Sequence, residues 1–270
     1  MSETKSFEDL FLAQSEEENL KINHLKILII NNINSNHMYL IKLKEWQNEH
    51  QEYFDYLFIL GNFLSYDENK KKDDIKEIAN DEAEIGGFLA YLENISLNII
   101  YIGGNNDTTT IFKEPYPKLT LRSINLHKQF HKLADDLYLV GYGGGESMER
   151  LNNPIENIFS SLFKYIKEND KISKIQTIFL NNESSYEKNI ISSDNKGTIY
   201  ETIIKDKKNN ILINLNGNTK IKKGTQILSN LNLTVINPGS ICEGEFVILI
   251  IKRDNKNNSW KIHKLDHLNI

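Results

Sequence analysis

Asparagine dominates the five short segments whose side chains could do chemistry: NNINSN at 31–36, GNF at 61–63, GGNND at 103–107, NNES at 181–184 and NGNTK at 216–220. An asparagine amide offers one carbonyl oxygen and two N–H donors, but no formal charge. Such a set can accept and donate hydrogen bonds around a polar ligand. It lacks the anionic density that holds paired divalent cations, and so the activated hydroxide those cations generate. Lys220 adds one ammonium, a point charge suited to a phosphate.

Each segment follows an apolar run: KILII, LFIL, LNIIYI, QTIFL and ILINL. Helical spacing separates the runs, first around Met38 to Trp46 and then through Ile75, Ile78, Ile85, Leu89 and Leu92. Further on, Asn153 and Pro154 open a helix whose stripe is Ile155, Ile158, Phe159, Leu162, Phe163 and Ile166. Another helix is expected near Thr198 to Lys207, and HKQFHKLADDLYLVGYGGG reads as two strands ending in a glycine turn. The closing runs TQILS, LTVIN, EFVILII and WKIHKL are closely spaced strands. Parallel βαβ units followed by antiparallel strands predict an α/β fold of two sheets packed face to face with helices outside. Functional loops then belong just past the carboxyl ends of the strands, where the five segments fall.

In order and spacing these loops resemble those of the calcineurin-like metallophosphoesterases, whose motifs run D-x-H, G-D, G-N-H-D, H and G-H-x-H. The stretch VINPGSICEGEF is similar to that family's asparagine-proline-glycine-serine strand and turn, and the resemblance covers residues 26–267. It implies a four-layer α/β/β/α sandwich of two packed mixed sheets. Under it, the first motif's Asp and His map to Asn32 and Asn34, and the bridging Asp to Asn62 after Gly61. Asn105 keeps the metal-binding asparagine, the catalytic histidine becomes Asn106, and Asp107 remains. The fourth-motif histidine maps to Asn182, with Asn181 leaving the register open, and the last two histidines become Asn218 and Lys220.

Of that family's metal ligands, Asn105 alone survives, so the resemblance implies a vestigial site with no catalytic residue, no metal and no cofactor. Asn62 cannot bridge two dications, because a neutral amide leaves their mutual repulsion uncompensated. Asn106 cannot protonate a leaving alkoxide. The chain holds 35 asparagines in 270 residues, and the Asp and His codons each reach an Asn codon by one base change. Gly61, Gly104, Gly217 and Gly239 still stand where turns are needed. The expected function is therefore a catalytically inactive pseudoenzyme serving as an interaction or scaffold subunit of a larger assembly, with protein partners. Two other readings stand beside it: a metal-free phosphate- or nucleotide-binding module, and a residual phosphoesterase using a displaced metal.

A net charge of −5 and a pI near 5.9 give no footprint for a polyanion, which disfavours nucleic acid. No long uninterrupted apolar stretch occurs, so membrane insertion is not expected. With Cys242 as the single cysteine and no basic-then-apolar start, an intracellular, cytoplasmic protein is expected. Residues 1–25 read as an acidic amphipathic extension preceding a domain over 26–270, with Phe7, Leu10 and Phe11 on one helical face as candidate partner contacts. His37 is read as a helix-start histidine, His127 and His131 as strand residues, Gly143 to Gly145 as a turn, and Cys242 as a small core residue.

Overall fold

The structure, a computed structural model, describes residues 22–69, 74–144, 154–169, 175–182, 206, 209–217, 223–254 and 256–270. Phe7, Leu10, Phe11, Asn153, Gly145, Asn218 and Lys220 lie outside the described residues. Of the helix expected near Thr198 to Lys207 only Asp206 is described, and it is not helical.

Two six-stranded sheets make the body of the protein. In the first, β1 (His24–Ile30), β2 (Tyr56–Ile59), β3 (Ile99–Tyr101) and β4 (Ser123–Asn125) run parallel in that order, with registers Ile27↔Tyr56, Leu57↔Ile99 and Ile99↔Ser123. The second begins with β5 (Gln129–Ala134), antiparallel to β6 (Leu137–Tyr142), and continues with β7 (Gln176–Asn181) and β8 (Ile211–Asn216) parallel to β6. It closes with β10 (Leu233–Asn237), parallel to β8, and the edge strand β9 (Gly224–Leu228). The chain then returns to the first sheet, adding β11 (Glu245–Asp254) antiparallel to β1 and β12 (Ser259–Asn269) antiparallel to β11. Both sheets are thus mixed, as the alternation of patterns predicts.

Strand periodicity sorts the core into layers, because successive side chains point to opposite faces. Ile27 and Ile29 of β1 join Phe58, Leu139, Ile178 and Leu215 in the core between the sheets. Leu28 and Ile30 face the other way, onto α1 (Met38–Glu49) and α2 (Ile75–Leu92) through Leu40, Leu43, Ile85 and Leu89. On the outer face of the second sheet, Ile158, Phe159, Leu162 and Ile166 of α3 (Pro154–Asn169) pack on Tyr138, Val140 and Phe179. The result is helix, sheet, sheet, helix.

Local signals explain where helices begin. Asp74 caps α2, its carboxylate accepting from the Lys76 backbone N–H at 2.8 Å, with Glu77 in the first turn. Pro154 opens α3, where its missing N–H costs nothing. The strand β4 is absent from the sequence reading because SIN, mostly polar, forms no apolar run. Among the described residues no helix is long and apolar enough to cross a membrane.

A buried polar clamp holds the sheets together at the end where β1 begins. Asp136, in the turn between β5 and β6, pairs with Arg253 of β11 at 2.8 Å and accepts from the Trp260 indole N–H of β12 at 2.8 Å. The ion pair is almost fully enclosed, with the Arg253 and Asp136 side chains 12% and 4% exposed. Gln176 of β7 adds two bonds to the Trp260 backbone. Removing one partner of such a pair strands the other charge without solvent. Asp136→Ala should therefore lower the unfolding free energy by about 3–5 kcal/mol in denaturant titration, and a loss comparable to that of an exposed pair would contradict this account.

Candidate functional site

The mapped residues that are described gather at the opposite end, past the carboxyl termini of β1, β2, β3 and β7. Backbone pairing carries the loops there: Leu60 N–H donates to Ile30 O and Ile102 N–H to Ile59 O, both at 3.0 Å. The chain then turns sharply, and Asn32, Asn34 and Asn62 all take left-handed conformations, with φ of 55°, 50° and 55°. Asparagine is among the few residues with a side chain that adopts this region readily, so the turns themselves suit the residues found there.

The amides pair with one another. Asn62 Nδ2 donates to Asn32 Oδ1 at 2.7 Å, and Asn62 Oδ1 accepts a longer bond from Asn106 N–H at 3.4 Å. The Asn32 and Asn34 backbones donate to Gly61 O and Asn62 O, both at 3.1 Å. Asn182 Nδ2 crosses between the sheets to Leu60 O, and also reaches Gly217 O at 3.2 Å. Its neighbour Asn181 instead bonds to Asn214 and Leu215 within the second sheet, so the structure places Asn182, not Asn181, against the loop after β2. Asn105 is exposed and Asn106 half-buried. Asn218 and Lys220, just past Gly217, lie outside the described residues.

Close approach of the loops needs glycine at two positions. Gly61 has φ of 101°, and a Cβ there would lie 2.6 Å from Gly104 N. A Cβ on Gly104 would fall 2.2 Å from Asn62 Oδ1. The amide pair is therefore boxed in by backbone.

Asp107 ties the two loops together. Its Oδ2 accepts from Asn62 N–H at 2.9 Å and Gly104 N–H at 2.7 Å, and its Oδ1 from Leu64 N–H at 3.1 Å. Burial pushes this carboxyl up to about 6, against the opposing pull of the backbone donors of Gly104, Leu64, Phe63 and Asn62. With its oxygens turned to the backbone, Asp107 is a structural anchor. A small pocket of ≈ 20 Å³ opens beside it, lined in part by Tyr66, Asp67, Asp81, Asn106 and Thr108.

The resemblance of the loops implies a pair of divalent metals, and the donors among the described residues do not fit one. Among the described residues no group of three or more His, Cys, Asp or Glu side chains is placed to hold a metal ion. Asn62, which the resemblance matches to the shared carboxylate, directs an N–H toward Asn32 and so takes up one of the two lone pairs on the Asn32 amide oxygen.

The structure adds residues that sequence reasoning passed over. Asn31, wholly buried, donates through Nδ2 to Gly217 O at 2.6 Å and bridges the sheets. Cys242 corrects an expectation: it is half-buried at the edge of the site, its sulfur 3.3 Å from Asn34 Nδ2 and 3.0 Å from Ser240 Oγ. The turn after β10 brings it there by pairing Ile241 and Cys242 N–H with Asn31 and Asn32 O. Nothing in the sequence near Cys242 signals that neighbour, which comes from 208 positions away. His37 is the exposed residue preceding α1 and makes no side-chain cap. His131 lies on β5, whereas His127 precedes it as a buried bridge residue that accepts from Gly143 N–H at 3.0 Å. Burial, the Lys128 charge and the packed rings of Phe112 and Tyr142 keep His127 neutral, with its pKa down at about 3.

No family model and no curated protein sequence matches the chain. Comparison with solved structures does find likenesses. One crystal structure, 22% identical, covers 90% of this chain and all of its own with a TM-score of 0.57. The protein TT1561 of Thermus thermophilus, 19% identical, covers 91% of this chain and 98% of its own with the same TM-score. An archaeal phosphodiesterase is 17% identical over 90% of this chain and all of its own, with a TM-score of 0.37. The two structures at a TM-score of 0.57 share this fold, a sandwich of two mixed sheets flanked by helices.

Asp107 supplies a test of the anchor. Its folded form keeps a proton to higher pH than the unfolded chain does, so its contribution to stability falls as pH rises from about 4 to about 6 and then levels off. Asp107→Asn cannot titrate and turns an N–H toward backbone donors, so it should be less stable than wild type. In denaturant titrations across this range the wild-type advantage should be largest near pH 4 and shrink toward neutrality. An advantage that grows with pH would mean that the backbone donors outweigh burial.

Proposed function

We propose that this protein is a catalytically inactive metallophosphoesterase-fold subunit that works through its surfaces, as an interaction or scaffold component of a larger assembly. The observation that carries this reading is the Asn62–Asn32 amide pair, which closes the position where a bridging carboxylate would stand. A metal-activated hydroxide has no anionic cradle there, and Asn106 brings no titratable proton to a leaving group. What remains is a domain whose site end is held by its own hydrogen bonds. Protein partners are the proposed ligands, with Phe7, Leu10 and Phe11 as contact residues. The site positions Asn32, Asn34, Asn62, Asn105, Asn106, Asp107, Asn182, Asn218 and Lys220 are read as vestigial.

The direct test is chemical. Dialysed against manganese, the purified protein should retain well under one equivalent of metal by elemental analysis and hydrolyse an aryl phosphate no faster than buffer. Stoichiometric metal together with chelator-sensitive turnover would overturn the reading.

A second experiment asks whether the scaffold still aims these positions inward. The combined variant Asn32→Asp, Asn34→His, Asn62→Asp, Asn106→His, Asn182→His, Asn218→His and Lys220→His should bind manganese measurably. A folded variant that takes up none at millimolar concentration would show that the positions are wrongly matched.

A further inference from the structure

The end of the sandwich remote from the amide network carries an apolar row. Tyr53 precedes β2 and is 83% exposed, Leu97 precedes β3 and is 58% exposed, and Leu121 precedes β4 and is 85% exposed. Ile22, 44% exposed, precedes β1. The loops are contiguous: Lys26 N–H donates to the Asp55 carboxylate at 2.7 Å, Asn98 Nδ2 to Asp55 O at 2.9 Å, and Ile99 N–H to Arg122 O at 3.5 Å. Leu97 and Leu121 each stand two residues before a register pair, Ile99↔Ser123, that opens neighbouring strands. A row of large apolar side chains on adjoining loops is a surface that water covers poorly.

The occupant follows from where the chain comes from. Ile22 is the first described residue, and it belongs to this row. Residues 1–21 therefore join the domain at the row itself, bringing the apolar stripe of Phe7, Leu10 and Phe11. From β1 to β4 the row spans three strand spacings, ~14 Å. Eleven residues separate Phe11 from Ile22 in sequence, enough to reach ~36 Å when extended. Tethering makes the encounter intramolecular, which favours the chain's own stripe over one offered from solution.

We infer that the amino-terminal segment packs Phe7, Leu10 and Phe11 on the row formed by Tyr53, Leu97 and Leu121 of its own domain. This goes beyond the scaffold reading and stands or falls separately from it. If both hold, a partner that takes the stripe must displace it from the row, and binding exposes Leu97 and Leu121.

The test uses the full chain with Cys242→Ser and a nitroxide on Ser6→Cys. Amide signals of Leu97 and Leu121 should be lost in the oxidised sample and return on reduction, while that of Asn106, at the other end of the sandwich, persists. Dilution should leave the loss unchanged. The double variant Leu97→Glu and Leu121→Glu, altered only at exposed positions, should show full-strength backbone amide signals at positions 97 and 121. Full-strength Leu97 and Leu121 signals in the labelled parent would overturn the inference, as would a loss that fades on dilution, which would place the stripe on a second copy. Signal loss that survives the double variant would also overturn it, because the stripe would then sit elsewhere.

Discussion

A buried amide must find partners inside the protein for its N–H groups and its carbonyl oxygen, because water is not there to satisfy them. Asn32 and Asn62 are 2% and 5% exposed, and each partly answers this demand for the other. Most of the site end follows from that pairing. It holds the loop after β1 to the loop after β2, while Asn106 N–H and the Asp107 carboxylate bring in the loop after β3. Asn31 and Asn182 extend the same logic across the sheets, converging on Gly217 O. Side-chain amides and one buried carboxylate gather the loops here.

The two ends of the sandwich are thus closed by different chemistry. Asp136, Arg253 and Trp260 lock the end where β1 begins with one buried ion pair, and amides with one carboxylate lock the other. Between them lies a continuous apolar core from Leu25 to Trp260, shared by both sheets. Together the two locks and the core join the sheets into one body.

Much of this was legible from residue patterns. The alternation of apolar runs and helical stripes announced β1, α1, β2, α2 and β3 in order, since each run is long enough to carry its periodicity. The asparagine loops fell past strand ends because parallel strands leave their carboxyl termini on one side. Strand β4 escaped because SIN, mostly polar, forms no apolar run, and Cys242 was misplaced because its neighbour Asn34 is remote in sequence. Nor could residue types say that the amides would pair. An asparagine at a ligand position can turn its oxygen toward a cation or toward an N–H donor, and only the left-handed turns at 32 and 62 together with the backbone box at Gly61 and Gly104 decide between these.

The central claim is that Asn62 and Asn32 keep their amide–amide hydrogen bond in preference to taking up a cation. Side-chain amide NMR tests it most directly, by following the Asn62 and Asn32 NH₂ resonances during titration with manganese, whose unpaired electrons broaden any group it touches. The account predicts that Asn62 stays sharp, with at least one slowly exchanging amide proton, up to millimolar metal. Saturable broadening centred on Asn32 and Asn62 would contradict it.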